Sequence, residues 1–177
     1  MLFEVEPMHD IFRILFPGGA AIQWSSLVSL VCGASLAGAL FMEHILGLAP
    51  CPLCMMQRVW MLLAGLLALT ALAHSPGWGI YPLLSLIASA VGGGFSIRQL
   101  YLQSLPAEEV PACGPDLAYM LDAFPLSDIL VAMTSGTGDC AEVAWSFLGI
   151  SIPGWALVMF IVVAALNVAH FRACASR

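Results

Sequence analysis

Four of the six cysteines in the chain lie where their sulfurs could do chemistry. Cys51 and Cys54 form a C-x-x-C motif, and Cys113 and Cys140 lie further along in a stretch rich in proline and glycine. Thiolates attack disulfides and bind metal ions. By spacing alone, the C-x-x-C motif is compatible with a redox pair, with half of a zinc site or with coincidence.

The residues around the C-x-x-C motif favour reactive sulfur. Pro50 precedes the motif, Pro52 suits the first position of a helix, and an apolar run follows. This pattern predicts Cys51 at the N-cap and Cys54 in the first turn. Both sulfurs then meet unpaired backbone N–H groups and the positive end of the helix dipole, which favour thiolate over thiol.

Arg58 is the next candidate, because it follows Cys54 by four residues and so lies one helical turn deeper on the same face. An arginine close to hydrocarbon costs about 3 kcal/mol or more unless it has a partner. We therefore expect an anion or a carbonyl beside it. The alternative is that its side chain extends to the lipid headgroups.

The elements that must position these residues are transmembrane helices. The chain is 61% hydrophobic and 9% charged, far from the balance of a soluble domain. We predict an all-α membrane protein, a four-transmembrane-helix bundle forming one integral-membrane domain over residues 1–177. The predicted spans are about Trp24–Met42, Cys54–Ala73, Ile80–Ile97 and Ile152–Ala169.

The distribution of charge predicts the orientation in the membrane. Arg13, Arg172 and Arg177 lie in the terminal segments, whereas the long acidic loop holds no basic residue. The positive-inside rule then puts both termini in the cytoplasm and the loops at about 43–53 and 99–151 on the opposite, periplasmic side.

The first residues carry no basic segment with a short apolar run, so we expect no signal peptide. The chain has no lysine, which argues against nucleic-acid binding.

This orientation puts four cysteines outside the cytoplasm, where thiols are driven to disulfides. The loop from 99 to 151 has helical apolar spacing, so we expect one or two short amphipathic helices in the membrane interface. The loop cysteines could instead close a structural cap. We predict no metal site, because Cys113 and Cys140 are too far apart for the usual close zinc pairs. Cys32, within the first span, and Cys174, after the last, are expected to be bystanders.

Taken in order, these segments resemble the DsbB family of disulfide bond formation proteins. The resemblance covers nearly the whole chain. It is carried by Pro-Cys-Pro-Leu-Cys with Gln57-Arg58, Val-Pro-Ala-Cys-Gly-Pro around Cys113, Gly-Asp-Cys-Ala-Glu around Cys140, and the segment from Trp145 to Pro153.

The resemblance implies a multi-pass oxidoreductase of the bacterial inner membrane. Its partner would be the periplasmic thioredoxin-like oxidase DsbA, attacking at Cys113 with Cys140 as the resolving half. Electrons would pass to Cys51 and Cys54, and from Cys54 to a membrane quinone, with ubiquinone expected and menaquinone as the alternative. Arg58 would then bind a quinone carbonyl.

Two further residues are candidates for the quinone site. Arg98 could support the same pocket or mark the membrane interface, and His44 could carry protons or lie on the surface. The rival to an enzyme is a small transporter or assembly subunit whose disulfides are structural. That rival predicts unreactive cysteines.

Overall fold

The computed structural model describes residues 19–74, 77–114 and 117–175. In these parts of the chain, the helices in order are α1 (Ala20–His44), α2 (Pro52–His74), α3 (Ile80–Ser104), α4 (Leu117–Ala123), α5 (Leu126–Ser135) and α6 (Ile152–Ala175). A 3₁₀ turn at Gly138–Ala141 and a small hairpin, β1 (Ser146–Phe147) with β2 (Ile150–Ser151), connect α5 to α6.

Four of these helices, α1, α2, α3 and α6, are each long and apolar enough to cross a membrane, with mean hydropathies between 1.6 and 2.2. The predicted fold class, a four-helix membrane protein with short helices in the long loop, is confirmed. The helices cover all four predicted spans and continue beyond most of their predicted ends.

The largest difference from the predicted spans concerns α3, which continues from Ile97 to Ser104. The predicted third span stopped at Ile97, just before Arg98. Its side chain, however, is turned outward, where Nε donates to the carbonyl of Ser135 at 3.2 Å and the guanidinium lies over the ring of Tyr101. A charged residue in this position leaves the backbone hydrogen bonds of the helix intact, so the helix continues.

The four long helices pack as a ring in which α1 and α3 each contact α2 and α6. Their shared core contains Val28 and Cys32 from α1, Ala64 from α2, and Phe160 and Val163 from α6. Small side chains allow close helix approach, which drives association in lipid through packing rather than through the hydrophobic effect.

Polar contacts join the helices near the end of the bundle where α2 and α6 terminate. Ser25 Oγ donates to the Ala68 carbonyl at 2.8 Å. Asn167 Nδ2 donates at 3.0 Å to Ser85 Oγ, which itself donates to the Ala64 carbonyl at 3.1 Å. Such contacts contribute about 0.6–2 kcal/mol each in a membrane, so they fix the helix register at this end.

The orientation across the membrane stays a prediction. Arg13 and Arg177, two of the three terminal arginines behind it, lie outside the described residues, and Arg172 lies in the last turn of α6.

The three consecutive glycines of α3 differ in their surroundings. A Cβ atom on Gly92 would lie 2.3 Å from the ring of buried Phe160, whereas one on Gly94 would meet nothing within 4 Å. Gly92 is therefore required for close packing against Phe160, whereas no contact requires a glycine at position 94.

We predict that Gly92→Ala lowers the free energy of unfolding by about 1–3 kcal/mol, because the methyl group forces Phe160 out of its place in the core. Thermal unfolding in detergent micelles measures the effect. Gly94→Ala, two residues along the same helix, serves as the control and should be neutral or slightly stabilising. Equal losses in the two variants would contradict this account of the α3–α6 contact.

Candidate active site

The first turn of α2 holds the C-x-x-C sulfurs at its N-terminus. The helix begins at Pro52, so Cys51 occupies the N-cap position, where its Sγ accepts the backbone N–H of Cys54 at 3.4 Å. The two sulfur atoms, Cys51 Sγ and Cys54 Sγ, lie 2.9 Å apart. The Cys51 sulfur thus replaces the oxygen of an ordinary N-cap side chain and keeps the pair together.

Cys140 reaches the same helix end from the 3₁₀ turn. Its side chain is fully buried with Leu53 and Leu102, and Cys51 packs against this cluster. A hydrogen bond from the Cys51 thiol, with smaller help from the Leu53 amide, lowers the pKa of Cys140 to about 6. The same bond to Cys140, followed by the contact with Cys54, raises the pKa of Cys51. These contacts favour the protonated form of Cys51 and the thiolate form of Cys140.

Cys113 is exposed and lies beside Gly138, which precedes Cys140 by two residues. The N–H of Gly138 donates to the Ala112 carbonyl at 3.2 Å, and a Cβ on Gly138 would lie 3.0 Å from Cys113 Sγ. A hydrogen bond to Asp139, together with the charge of that carboxylate, raises the pKa of Cys113. Of the four loop cysteines, Cys113 is the one that another protein can reach without displacing buried residues.

Gly136 lets the loop dock on the helices. It has φ = +82°, a conformation that disfavours side chains, and a Cβ there would lie 2.7 Å from Leu102 and 2.8 Å from Leu53. Leu53 lies between Cys51 and Cys54 in sequence. The absence of a side chain at Gly136 therefore allows the segment carrying Cys140 to approach the C-x-x-C turn.

Two buried amides complete the surroundings of the sulfurs. Gln99 Nε2 lies 3.3 Å from both Cys51 Sγ and Cys54 Sγ, and Gln57 Nε2 donates to Gln99 Oε1 at 2.8 Å. Sequence reasoning missed this role for Gln99 because it placed the residue in the loop after the third span. The extension of α3 to Ser104 brings it into the site.

A cavity of about 540 Å³ adjoins Cys51 and Cys54. This volume is within the usual range for small-molecule sites. Its walls are mostly apolar, and its polar groups include the side chains of Gln57, Arg58 and Gln99. The remaining wall includes Gly38, Ala39 and Met42 from α1, Met61 from α2, Trp145 and Phe147 from the loop, and Trp155, Met159 and Phe160 from α6.

Arg58 lines this cavity and contacts both an anion and a carbonyl, the two kinds of partner expected beside it. One NH group forms an ion pair with Glu43 at the end of α1, and the other donates to the Ala39 carbonyl at 3.1 Å. Glu43 was not singled out in the sequence, although the demand for an anion near Arg58 was a usable signal. Since a guanidinium carries five N–H donors, these two contacts leave others for a ligand.

Two predicted cofactor residues lie elsewhere. His44 is exposed, with Nδ1 3.0 Å from the Leu40 carbonyl, and Arg98 extends towards Ser135. Neither lines the cavity. The structure therefore gives no support to a cofactor-binding role for either residue, since the helix positions that suggested the role turn both side chains outward.

The other two cysteines do not line this cavity. Cys32 is buried in the bundle core, and Cys174 lies in the last turn of α6. Within the described ranges, no three His, Cys, Asp or Glu side chains are grouped so that they could hold a metal ion.

A dithiol at the N-terminus of a membrane helix, touched by a third thiol and opening onto an apolar cavity, defines a membrane protein built for thiol–disulfide exchange. The family profile described as "Disulfide bond formation protein DsbB" matches residues 22–170. The chain belongs to this family and is a disulfide-forming oxidoreductase.

Curated relatives agree with this assignment. Disulfide bond formation protein B of Marinobacter nauticus is 53% identical, over 76% of this chain and 82% of the relative. The protein of the same name from Hahella chejuensis is 50% identical, over 76% and 86%, and that from Saccharophagus degradans is 46% identical, over 82% and 90%. Among solved structures, none matches the chain significantly.

We predict that Gly136→Ala slows formation of a Cys51–Cys140 disulfide by about tenfold or more, because the added methyl group collides with Leu53 and Leu102 and moves the loop away. The measurement is the rate of disulfide formation after addition of an oxidant, in a chain that also carries Cys54→Ser and Cys113→Ser.

Gly149→Ala is the matched control, because Gly149 also has a positive φ, of +78°, but a Cβ there would meet nothing within 4 Å. The Gly149→Ala variant has the same backbone strain without the collision, so its rate of disulfide formation should stay near that of the parent chain. Equal slowing in the two variants would show that strain rather than contact matters.

Proposed function

We propose that this protein is a thiol:quinone oxidoreductase that reoxidises the periplasmic oxidase DsbA and passes the electrons to a membrane quinone. The observation that carries the proposal is the position of Cys51, which contacts Cys140 on one side and Cys54 on the other. Cys54 in turn lines an apolar cavity. Electrons can therefore move through adjacent sulfurs from an exposed loop to a membrane-embedded site.

The first step is an exchange with DsbA at the exposed thiol. A DsbA thiolate attacks the Cys113 sulfur of a Cys113–Cys140 disulfide, forming a mixed disulfide and releasing Cys140 as a thiolate. The second DsbA thiol then attacks the DsbA sulfur of that mixed disulfide. This step leaves DsbA oxidised and releases Cys113 in its reduced form. The exposure of Cys113 supports this order.

The second step moves the electrons to the helix end. The Cys140 thiolate attacks Cys51 of a Cys51–Cys54 disulfide, so a Cys51–Cys140 bond forms and Cys54 leaves as a thiolate. The lowered pKa of Cys140 supports its role as the attacking group. Attack by Cys113 on Cys140 would then restore the loop disulfide and leave Cys51 and Cys54 reduced.

The cavity suits a quinone, since it combines apolar walls with amide and guanidinium donors near the sulfurs. A bound quinone supplies a two-electron acceptor. Arg58 would donate a hydrogen bond to one of its carbonyl oxygens and stabilise negative charge as it develops there, in largely apolar surroundings. Glu43 balances the charge of Arg58 and holds its side chain in place. We expect ubiquinone, with menaquinone as the alternative.

This function also requires a particular orientation. We propose that the chain lies in the bacterial inner membrane as a single integral-membrane domain with both termini cytoplasmic. The ends of α1 and α3, the start of α2 and the long loop would then face the periplasm, where DsbA acts.

We predict that Cys54→Ser lowers the rate of quinone reduction by reduced DsbA about a thousandfold or more, because serine cannot accept or release the electron pair. The measurement is the change in quinone absorbance in purified membranes. Cys32→Ala is the control, since Cys32 lies in the bundle core, and it should keep most of the rate. A chain with merely structural disulfides, such as a transporter subunit, would show the same rate with and without Cys54.

We predict that Arg58→Gln raises the KM for quinone about tenfold to a hundredfold, the value of a lost hydrogen bond from a charged group. Thiol exchange with DsbA in a single turnover without quinone should change little. Arg172→Gln, at the other end of the bundle, controls for loss of one positive charge. Equal slowing of both half-reactions by Arg58→Gln would contradict the assigned role.

A further inference from the structure

We propose that Gln99 is a catalytic residue that stabilises the Cys54 thiolate, and that Gln57 is a positioning residue that fixes the orientation of the Gln99 amide. This inference builds on the proposed function, because it concerns the reduced form of the same sulfur pair.

The Gln99 amide is placed to serve both sulfurs at once. Its Nε2 atom lies 3.3 Å from Cys51 Sγ and 3.3 Å from Cys54 Sγ, and a primary amide nitrogen carries two hydrogens. Each sulfur can therefore receive one of them. Gln99 is only 3% exposed, so water does not compete well for these hydrogens.

An amide can present either its nitrogen or its oxygen to a neighbour, so its orientation decides its effect. Gln57 Nε2 donates to Gln99 Oε1 at 2.8 Å, which turns the Gln99 nitrogen towards the sulfurs. If Gln99 alone turned over, the nitrogens of the two glutamines would face each other, and the Gln99 oxygen would point at a developing thiolate. Gln57 is 5% exposed, and thus this constraint acts inside the bundle.

The Gln99 amide can also bind Cys54 in its protonated, thiol form. Cys54 Sγ lies 3.6 Å from Gln99 Oε1, so a thiol can donate to the oxygen while a thiolate accepts from the nearer nitrogen. The nitrogen contact is the shorter one, and hydrogen bonds to a charged group are stronger than those to a neutral one. The net effect favours the thiolate.

Stabilising the thiolate shifts the equilibrium of the pair towards its reduced form. Cys51 and Cys54 therefore accept electrons from the loop cysteines more readily than an unsupported dithiol would. When Cys54 is the leaving group in the attack by Cys140, the Gln99 nitrogen can stabilise the charge that it acquires.

The test is a redox titration of Cys51 and Cys54 in the full chain, with Cys113→Ser and Cys140→Ser to isolate the pair, read out by alkylation of free thiols. Gln99→Met, close in size to the native residue, should lower the equilibrium constant for reduction about tenfold, which corresponds to about 30 mV for two electrons. Ser96→Ala on the same helix removes a hydroxyl that donates to the Gly92 carbonyl one turn earlier, and it should leave the midpoint unchanged.

A double-mutant cycle tests the positioning role. Gln57→Leu alone should lower the equilibrium constant severalfold, and the effect should vanish when Gln99→Met is already present, because Gln57 acts through Gln99. A midpoint that does not move in Gln99→Met, or an effect of Gln57→Leu that is the same in both backgrounds, would overturn the inference. If the parent pair does not titrate as a two-electron couple at all, the proposed function itself fails.

Discussion

The arrangement of this site depends on the unpaired backbone N–H groups at the start of α2. An ordinary helix satisfies these donors with an oxygen or with water, but here sulfur atoms take part. Cys51 accepts the N–H of Cys54, and the Leu53 amide reaches Cys140. Because these donors lie in apolar surroundings, they stabilise negative charge on sulfur more than the same groups would in water. The loop brings the third sulfur to this helix end.

Much of this arrangement could be predicted from the sequence, because the signals are local. Hydropathy identifies the four long helices, and Pro52 after Cys51 marks the start of α2. The position of Arg58 one turn below Cys54 predicts that it has a polar partner, which Glu43 and the Ala39 carbonyl supply.

The parts that were not predicted depend on contacts distant in sequence. Gln99 lies beyond Ile97, the predicted end of the third span, and its role is visible only once α3 is packed beside α2. Likewise, Gly136 gives no sign in the sequence that it must lie against Leu53 and Leu102. His44 and Arg98 were plausible cofactor-binding residues because of their position along the predicted spans. The rotation of the helices turns both side chains away from the cavity, and neither lines it.

The hydrogen bonds that join Ser25 to α2 and Asn167 to Ser85 lie far from the sulfurs along the same helices. Through them the bundle is tied at one end, while at the other the covering loop is docked through Gly136. These hydrogen bonds therefore hold the helices together at the end away from the sulfurs. Under the proposed function, the cysteines at the other end would exchange partners without breaking any of these bonds.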